Sequence, residues 1–130
     1  MKSGGIPALF EQAAVACQEK ETAIRAMEWM AHPAFAGVYL KHLVKGEDTG
    51  GRLSCHMVRV EGGRELGLHR HEGQLELHEV ISGDGAGFLG DREISYTPGR
   101  MTVIPQGVEH KVQAGPDGLV LLAKFVPALL

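Results

Sequence analysis

The spacing of apolar residues changes from a helical to an alternating pattern near residue 37. Between Pro7 and Ala31 apolar residues recur at intervals of three, four and seven, which predicts one helix or, with a break near Thr22, two shorter helices. Pro7 suits the first turn of a helix. The His32-Pro33 pair ends the pattern, because a residue that precedes proline is driven out of the α region.

Beyond this point apolar and polar residues alternate in short runs, which is the pattern of half-buried strands. Groups rich in glycine and proline separate the runs, and a polar hairpin loop is expected at 46–51. The predicted strands are 38–44, 52–60, 74–82, 86–89, 92–96, 100–104, 108–112 and 119–126. About eight short strands with no helical pattern between them predict an all-β fold, an antiparallel barrel or sandwich.

The length of the chain limits the number of domains. A chain of 130 residues buries one core but is too short for two ordinary ones. We therefore expect a single domain, in which residues 1–36 form an N-terminal helical segment and residues 37–130 form the β-barrel.

Charge and cysteine content narrow the classes of partner. The formal net charge is −3, so there is no broad positive field to hold nucleic acid or anionic lipid, and we expect neither as a partner. Charged residues interrupt the N-terminal apolar positions, and a cytoplasmic location is expected. Cys17 and Cys55 lack the spacing of a redox motif or zinc site and are expected to be buried, reduced thiols.

Four side chains from separate parts of the sequence form a candidate metal site. His69 and His71 share one face of a strand because they are two residues apart. After a turn, Glu76 opens a strand that we expect to lie antiparallel beside the first. His110 follows the tight turn at 105–107, which can return a strand to the same point. Three neutral imidazoles and one carboxylate suit a divalent transition metal.

Two spaced motifs connect these residues. The first is glycine, five residues, His-x-His, four residues, glutamate, six residues and glycine, represented by Gly63, His69, His71, Glu76 and Gly83. The second is glycine, five residues, Pro-x-Gly, two residues and histidine, represented by Gly99, Pro105, Gly107 and His110. In both motifs the sequence resembles the cupins. It departs from them at Ala114, where the second motif has an asparagine that is not a metal ligand in the family.

The resemblance implies an antiparallel jelly-roll β-barrel that holds one divalent transition metal per chain, namely Fe, Mn, Ni, Zn or Cu. It assigns His69, His71, Glu76 and His110 as ligands. Four protein ligands leave one or two coordination positions open, as in catalytic rather than structural sites. The competing interpretation is that the histidines are solvated strand residues and Glu76 is a surface carboxylate, but this leaves the spacing of the glycines and Pro105 unexplained.

Several other residues have more than one interpretation. His78 lies two residues beyond Glu76 and is a candidate catalytic proton donor or acceptor, or a residue that orients a ligand, or a packed wall histidine. Cys55 and His56 lie on opposite faces of one strand, so at most one of them faces inward. Tyr39, His42 and Tyr96 are candidates either for the barrel mouth or for packing in the wall, whereas His32 is expected to end the helix.

The leading functional hypothesis is a metal-dependent enzyme, dioxygenase-like, that acts on a small polar organic molecule. The first alternative is a non-catalytic module that binds or senses a small molecule. The second is a sugar isomerase or lyase, which requires basic residues near the site, and Arg64, Arg70 and Arg100 are scattered in the sequence. Because Trp29 and Met30 end an apolar helical stripe, that stripe covers either its own barrel or a partner in a homodimer, which we expect.

Overall fold

The structure is a computed structural model and describes residues 8–130. Within this range the N-terminal region consists of short elements rather than a long helix. They are α1 (Ala8–Glu11), β1 (Ala14–Ala16), β2 (Glu21–Ala23), a 3-10 turn (Ile24–Ala26) and β3 (Met30–Ala31). The prediction of one or two helices between Pro7 and Ala31 is therefore wrong, and with it the N-terminal helical segment; Pro7 itself lies outside the described residues. No helix within residues 8–130 is long and apolar enough to cross a membrane.

The apolar residues of this region pack against the outside of the barrel, which explains their misleading spacing. Strand β1 pairs with β2, and the backbone N–H of Ile24 donates to the carbonyl of Ala13 at 3.0 Å, so the chain folds back on itself. The side chains that meet the barrel there are Phe10, Ala13, Val15, Ile24, Met27 and Trp29, packed on Leu43, Cys55, Met57 and Val120. Each short piece turns its apolar side to a curved surface that a single straight helix would not follow.

The remainder is an antiparallel jelly-roll barrel, as predicted. Its elements are β4 (Val38–Val44), α2 (Gly46–Thr49), β5 (Ser54–Val60), β6 (Glu65–His69), β7 (Leu75–Leu89), β8 (Arg92–Tyr96), β9 (Met101–Ile104) and β10 (His110–Val126). The expected hairpin loop at 46–51 contains the single helical turn α2. The two cysteines are free, Cys55 buried and Cys17 partly buried.

In two places, a pair of strands predicted as separate forms one long, bent strand. All but the first residue of the predicted strand 74–82 and all of 86–89 lie within β7, and most of 108–112 joins 119–126 in β10. The bend in β7 is at Gly83, whose φ of +81° favours glycine, and Gly85, where a Cβ would lie 2.1 Å from the carbonyl oxygen of Gln113. Next to this bend, on β10, the register of its pairing with β7 shifts between Ala114 and Leu119. The glycines bend these strands without ending them.

The bent strands divide the sheet into two layers. Residues 119–126 of β10 pair with β5 and with the first half of β7, which also carries β9. Residues 110–114 pair with β6 and with the second half of β7, which also carries β8. The core between the layers consists of Val38, Val58, Val60, Leu66, Val80, Tyr96, Val112, Leu119, Leu121, Ala123 and Phe125.

Candidate metal centre

The four predicted ligands come together between the two layers. His69 ends β6 and lies opposite His110, the first residue of β10. His71 follows two residues after β6, and Glu76 lies near the start of β7. One detail of the prediction is wrong: β6 pairs with β10 rather than with β7, so the strands that carry His69 and Glu76 are not neighbours.

Their positions suit a common ion. One ligand atom from each of His69, His71, Glu76 and His110 lies within 4.8 Å of all the others. Donors held about 2.1 Å from one ion are separated by up to about 4.2 Å, so small side-chain movements complete the sphere. The ring centroids of His69 and His110 are 4.2 Å apart, and those of His69 and His71 are 5.1 Å apart. Glu76 and His110 are buried, whereas His69 and His71 are partly exposed.

Backbone carbonyls hold two imidazoles in the tautomer that a metal requires. The Nδ1–H of His69 donates to the carbonyl of Gly67 at 2.7 Å, and that of His110 donates to the carbonyl of Val108 at 3.0 Å. A neutral imidazole that donates from Nδ1 presents the lone pair of Nε2. The carbonyls thus fix both ring orientation and the nitrogen that is available for coordination.

Two buried atoms at the centre have no hydrogen-bond partner in the described part of the chain. They are Oε1 of Glu76 and Nε2 of His110, which face each other at 3.1 Å without hydrogen-bond geometry. Buried polar atoms are almost always paired, because an unpaired one costs about 1–3 kcal/mol. A cation bound between a carboxylate oxygen and an imidazole nitrogen would satisfy both atoms, so the residues fit a divalent transition metal.

The charges of the centre are set by mutual contact. Burial raises the pKa of Glu76, but contacts with His110 and His78 outweigh it and hold the pKa well below its usual range. Burial lowers the pKa of His110, yet the neighbouring Glu76 carboxylate and the Val108 carbonyl raise it overall. Burial lowers the pKa of His69 to about 4. At neutral pH the site therefore contains a carboxylate and at least one neutral imidazole, which are the forms that bind metal.

A chain of hydrogen bonds supports Glu76 from behind. Its Oε2 accepts from Nε2 of His78 at 2.7 Å, and Nδ1 of His78 lies 2.8 Å from the hydroxyl of Tyr96. Burial raises the pKa of Tyr96 to about 12 despite a hydrogen bond from Thr102, so this hydroxyl is protonated and has a proton to donate toward Nδ1 of His78. Tyr96 fits because Gly87 has no Cβ, which would lie 2.3 Å from the tyrosine ring.

All seven histidines of the chain surround one cavity of about 360 Å³. Six line it, and His110 contacts three of those six within the cluster. Sequence reasoning placed four of them, His69, His71, His78 and His110. It named His42 only as a candidate for the barrel mouth and did not assign His32 or His56 to the site. Apart from Glu76, the rest of the lining is apolar: Met30, Ala31, Pro33, Leu40, Val58, Leu66, Ala123, Phe125, Leu129 and Leu130.

The family follows from a match over the central part of the chain. A family model described as a cupin domain matches residues 56–123, more than half of the chain. The chain belongs to the cupin family. Within this cupin the departure from the second motif, Ala114, packs against the barrel core, and its backbone N–H donates to the carbonyl of Arg64 at 3.0 Å.

Comparison with individual cupins gives the same fold. A curated protein, the oxalate-binding protein of Thermotoga maritima, is 26% identical over 92 residues, 68% of this chain and 75% of that protein. The crystal structure of a predicted oxalate decarboxylase from Thermotoga maritima superposes with a TM-score of 0.73 at 21% identity, over 80% of this chain and 96% of that one. KdgF from Halomonas sp. superposes with a TM-score of 0.67 at 20% identity, over 77% and 87% of the two chains.

The other residues weighed from the sequence fall on both sides of the barrel wall. His56 faces the cavity, while Cys55 packs under the N-terminal region, as their alternation required. Tyr39 lies beside Arg59, whose guanidinium is 4.8 Å from both the Tyr39 and the Trp29 ring centroids. His32 does not end a helix: its Nδ1 accepts the backbone N–H groups of Ala34 and Phe35 in a turn.

Tyr96→Phe is expected to lower metal affinity about tenfold, because loss of a hydrogen-bonding partner behind the ligands typically costs 10–100-fold. The substitution removes the hydroxyl that binds His78 but retains the ring. Tyr39→Phe is the matched control, since that ring lies outside the cavity lining. Titration with a competing chelator measures both. Equal affinities in Tyr96→Phe and the wild type would contradict the prediction.

The metal-free cupin is expected to lose stability as the pH falls from about 6.5 to about 4. Burial, and then the neighbouring His42, lowers the pKa of His56 to about 4. The unfolded chain binds this proton near pH 6.5, so acidification stabilises the unfolded state first. Protonation of His56 in the unfolded chain lowers the free energy of unfolding by an amount on the order of 2 kcal/mol. Urea unfolding at several pH values in chelator should show a flatter pH dependence for His56→Gln; parallel curves would refute the assignment.

Proposed function

We propose that this cupin binds one divalent transition metal per chain through His69, His71, Glu76 and His110, and acts on a small organic molecule that binds the same ion. The observation that carries the proposal is the pair of buried, unpartnered atoms, Glu76 Oε1 and His110 Nε2, beside two further imidazoles. Fe, Mn, Ni, Zn and Cu all accept such a donor set. When bound, the ion supplies Lewis-acid polarisation of substrate oxygens and, as Fe(II), the dioxygen chemistry of a dioxygenase-like enzyme.

The charge of the cavity supports an anionic ligand that binds through oxygen. A divalent ion with the Glu76 carboxylate carries one net positive charge, and among residues 8–130 no lysine or arginine lines the cavity. A ligand oxygen anion would neutralise this charge. The name of the Thermotoga maritima relative, an oxalate-binding protein, supports the same chemical class. We therefore take carboxylates with a second adjacent oxygen as the first candidates.

The sugar isomerase or lyase alternative receives less support. A phosphorylated sugar needs basic side chains to hold its phosphate. Arg64, Arg70 and Arg100 are absent from the cavity lining, and Arg70 pairs instead with Glu109 at 3.2 Å.

For His78 we propose a positioning role rather than the catalytic one. Both ring nitrogens are engaged, one by Glu76 and the other by Tyr96. The ring is 1% exposed, so a substrate would have to displace one of these partners to exchange a proton with it. Its contribution is to hold Glu76 with one oxygen directed toward the histidines.

A second candidate function is non-catalytic binding or sensing of a small molecule. The same observation favours it: His78, hydrogen-bonded to Glu76, has no free nitrogen for acid-base chemistry. The two functions use the same metal and the same class of ligand, but only the enzyme converts the ligand to a product.

The experiment begins with protein purified without added metal and analysed for its elements. Isothermal titration then measures oxalate binding to the wild type and to Glu76→Gln, which keeps the side-chain shape but removes the charge. Oxygen consumption is followed with α-keto acids, diols and catechols. Tight oxalate binding that depends on metal and on Glu76 supports the proposal. Absence of metal binding overturns it, and an iron-loaded protein that binds these molecules without consuming oxygen supports the second function.

The homodimer stays a prediction, but the structure changes the observation on which it was based. Trp29 packs on its own barrel rather than ending an exposed helix, while Met30 is 55% exposed. Light scattering at micromolar concentration tests the assembly, and a monomer mass would contradict it.

A further inference from the structure

The cavity has a second polar end on the strands β4 and β5. His42 lies opposite His56, which lies opposite Ala123, which in turn lies opposite His78, so one row crosses four strands. Nδ1 of His42 is 2.8 Å from Nδ1 of His56, and Nε2 of His56 is 2.9 Å from the hydroxyl of Ser54. None of these residues belongs to the metal cluster.

Only one ring nitrogen of this pair is left for a ligand. His56 is engaged at both nitrogens, and the Ser54 hydroxyl also accepts the backbone N–H of Leu129 at 2.9 Å. His42, which lines this cavity and also a second one beside β1 and β2, is engaged at Nδ1, so Nε2 is its remaining ring nitrogen. Burial, and then the nearby Lys45, lowers the pKa of His42, so the ring is neutral at neutral pH. This end of the cavity therefore offers a hydrogen bond without a charge.

An apolar wall about one aromatic ring long separates the two polar ends. The ring of Phe125 is 4.9 Å from that of His71 and 5.6 Å from that of His56, measured between centroids. Leu40, Val58 and Leu66 complete the wall, and Ala123 leaves space between His56 and His78. A flat apolar body beside Phe125 would bridge the metal cluster and the histidine pair.

We propose that the ligand is a small monoanion with three parts, an inference that rests on the proposed function. Two adjacent oxygens, one from a carboxylate, bind the ion; a body about the length of an aromatic ring lies along Phe125; and an uncharged hydroxyl at the far end hydrogen-bonds to Nε2 of His42. One negative charge matches the net charge left by a divalent ion and Glu76. A hydroxyl suits His42 because it both donates and accepts, and so matches either tautomer of the His42-His56 pair.

The size of the cavity agrees with such a ligand. Its volume of about 360 Å³ is in the range of sites for small organic molecules, far more than a two-carbon dicarboxylate fills. An apolar lining with few polar groups is typical of sites that select orientation through one or two hydrogen bonds. The metal then selects ligands with a carboxylate, and His42 selects those that also have a hydroxyl at the far end.

The test compares mandelate with para-hydroxymandelate, which differ only in the far hydroxyl. Isothermal titration is performed on Co(II)-loaded wild type, His42→Phe and His42→Gln, with metal content measured for each. We expect the wild type to bind the hydroxylated acid about fivefold more tightly, the value of one ordinary hydrogen bond. The ratio should fall to about one in His42→Phe, and His42→Gln, which keeps a donor and an acceptor, should retain part of it.

The outcomes separate the two proposals. A metal-loaded wild type that binds both mandelates equally, or a preference that survives in His42→Phe, overturns the role of His42 and leaves the metal proposal intact. A wild type without metal, or one that binds neither mandelate nor oxalate, overturns the proposed function and this inference with it. Loss of the preference in His42→Phe together with its partial return in His42→Gln, at full metal content in both, supports the proposal.

Discussion

His110→Ala is expected to lower the affinity for a divalent metal by at least about a hundredfold. Loss of a residue that only hydrogen-bonds to a metal ligand already costs 10–100-fold, and this change removes a ligand itself. His110 is 2% exposed, its ring is held by Val108, and its Nε2 faces Oε1 of Glu76. Without it the site has three donors and leaves the Glu76 oxygen without a cation. Elemental analysis after loading and gel filtration, with a chelator titration, measures the loss.

Arg70→Ala is the matched control for that substitution. Arg70 lies between His69 and His71 in sequence, but its side chain is 48% exposed and pairs with Glu109 at 3.2 Å outside the cavity. We expect full metal content, since surface ion pairs contribute at most about 1 kcal/mol. Circular dichroism checks that both variants fold. Full metal binding by His110→Ala, or equal loss in both variants, would exclude the proposed ligand set.

Leu121→Ala is expected to destabilise the protein by about 2–5 kcal/mol, the usual cost of truncating a buried leucine. Leu121 is 0% exposed and lies in the middle of β10, opposite Val58 on β5 and Val80 on β7. Its removal leaves a void between the two layers, where few atoms can move to fill it. Because single domains are stable by about 5–15 kcal/mol, a large share would be lost.

Leu68→Ala is the corresponding surface change. Leu68 lies on β6 and is 59% exposed, so its truncation should alter stability by no more than about 0.5 kcal/mol. Urea unfolding of the metal-free proteins compares the two without a contribution from the ion. A similar loss in both variants would mean that the space between the layers is not the main core of the barrel.

The turns that position the ligands are encoded locally. Gly63, Gly83, Gly99 and Gly107, the four motif glycines, have φ values of +75°, +81°, +91° and +80°. Residues with a Cβ are strained in this region, so glycine is required for backbone reasons at each position. This is why the spacing of glycines, Pro105 and histidines was sufficient to predict that the four candidate ligands lie close together.

The same glycines also misled the division into strands. A glycine that bends a strand and one that ends it look alike in sequence, and Gly83 and Gly85 bend β7 within a continuous pairing with β10. The prediction of an N-terminal helix was wrong for a related reason. Periodicity reports which side chains are buried, and the short segments that carry Ile24 and Trp29 bury them against the barrel without forming a long helix.

The sequence by itself determined the barrel, the family resemblance and the residues of the candidate metal site, because alternation, turn glycines and ligand spacing are all local properties. Only the tertiary structure decided which other residues surround the candidate metal site. The strand order that places β10 between β5 and β7 brings His42, His56 and Tyr96 toward the cavity from distant segments. Strand order depends on which surfaces pack together over long separations in the chain, and no short segment records that choice.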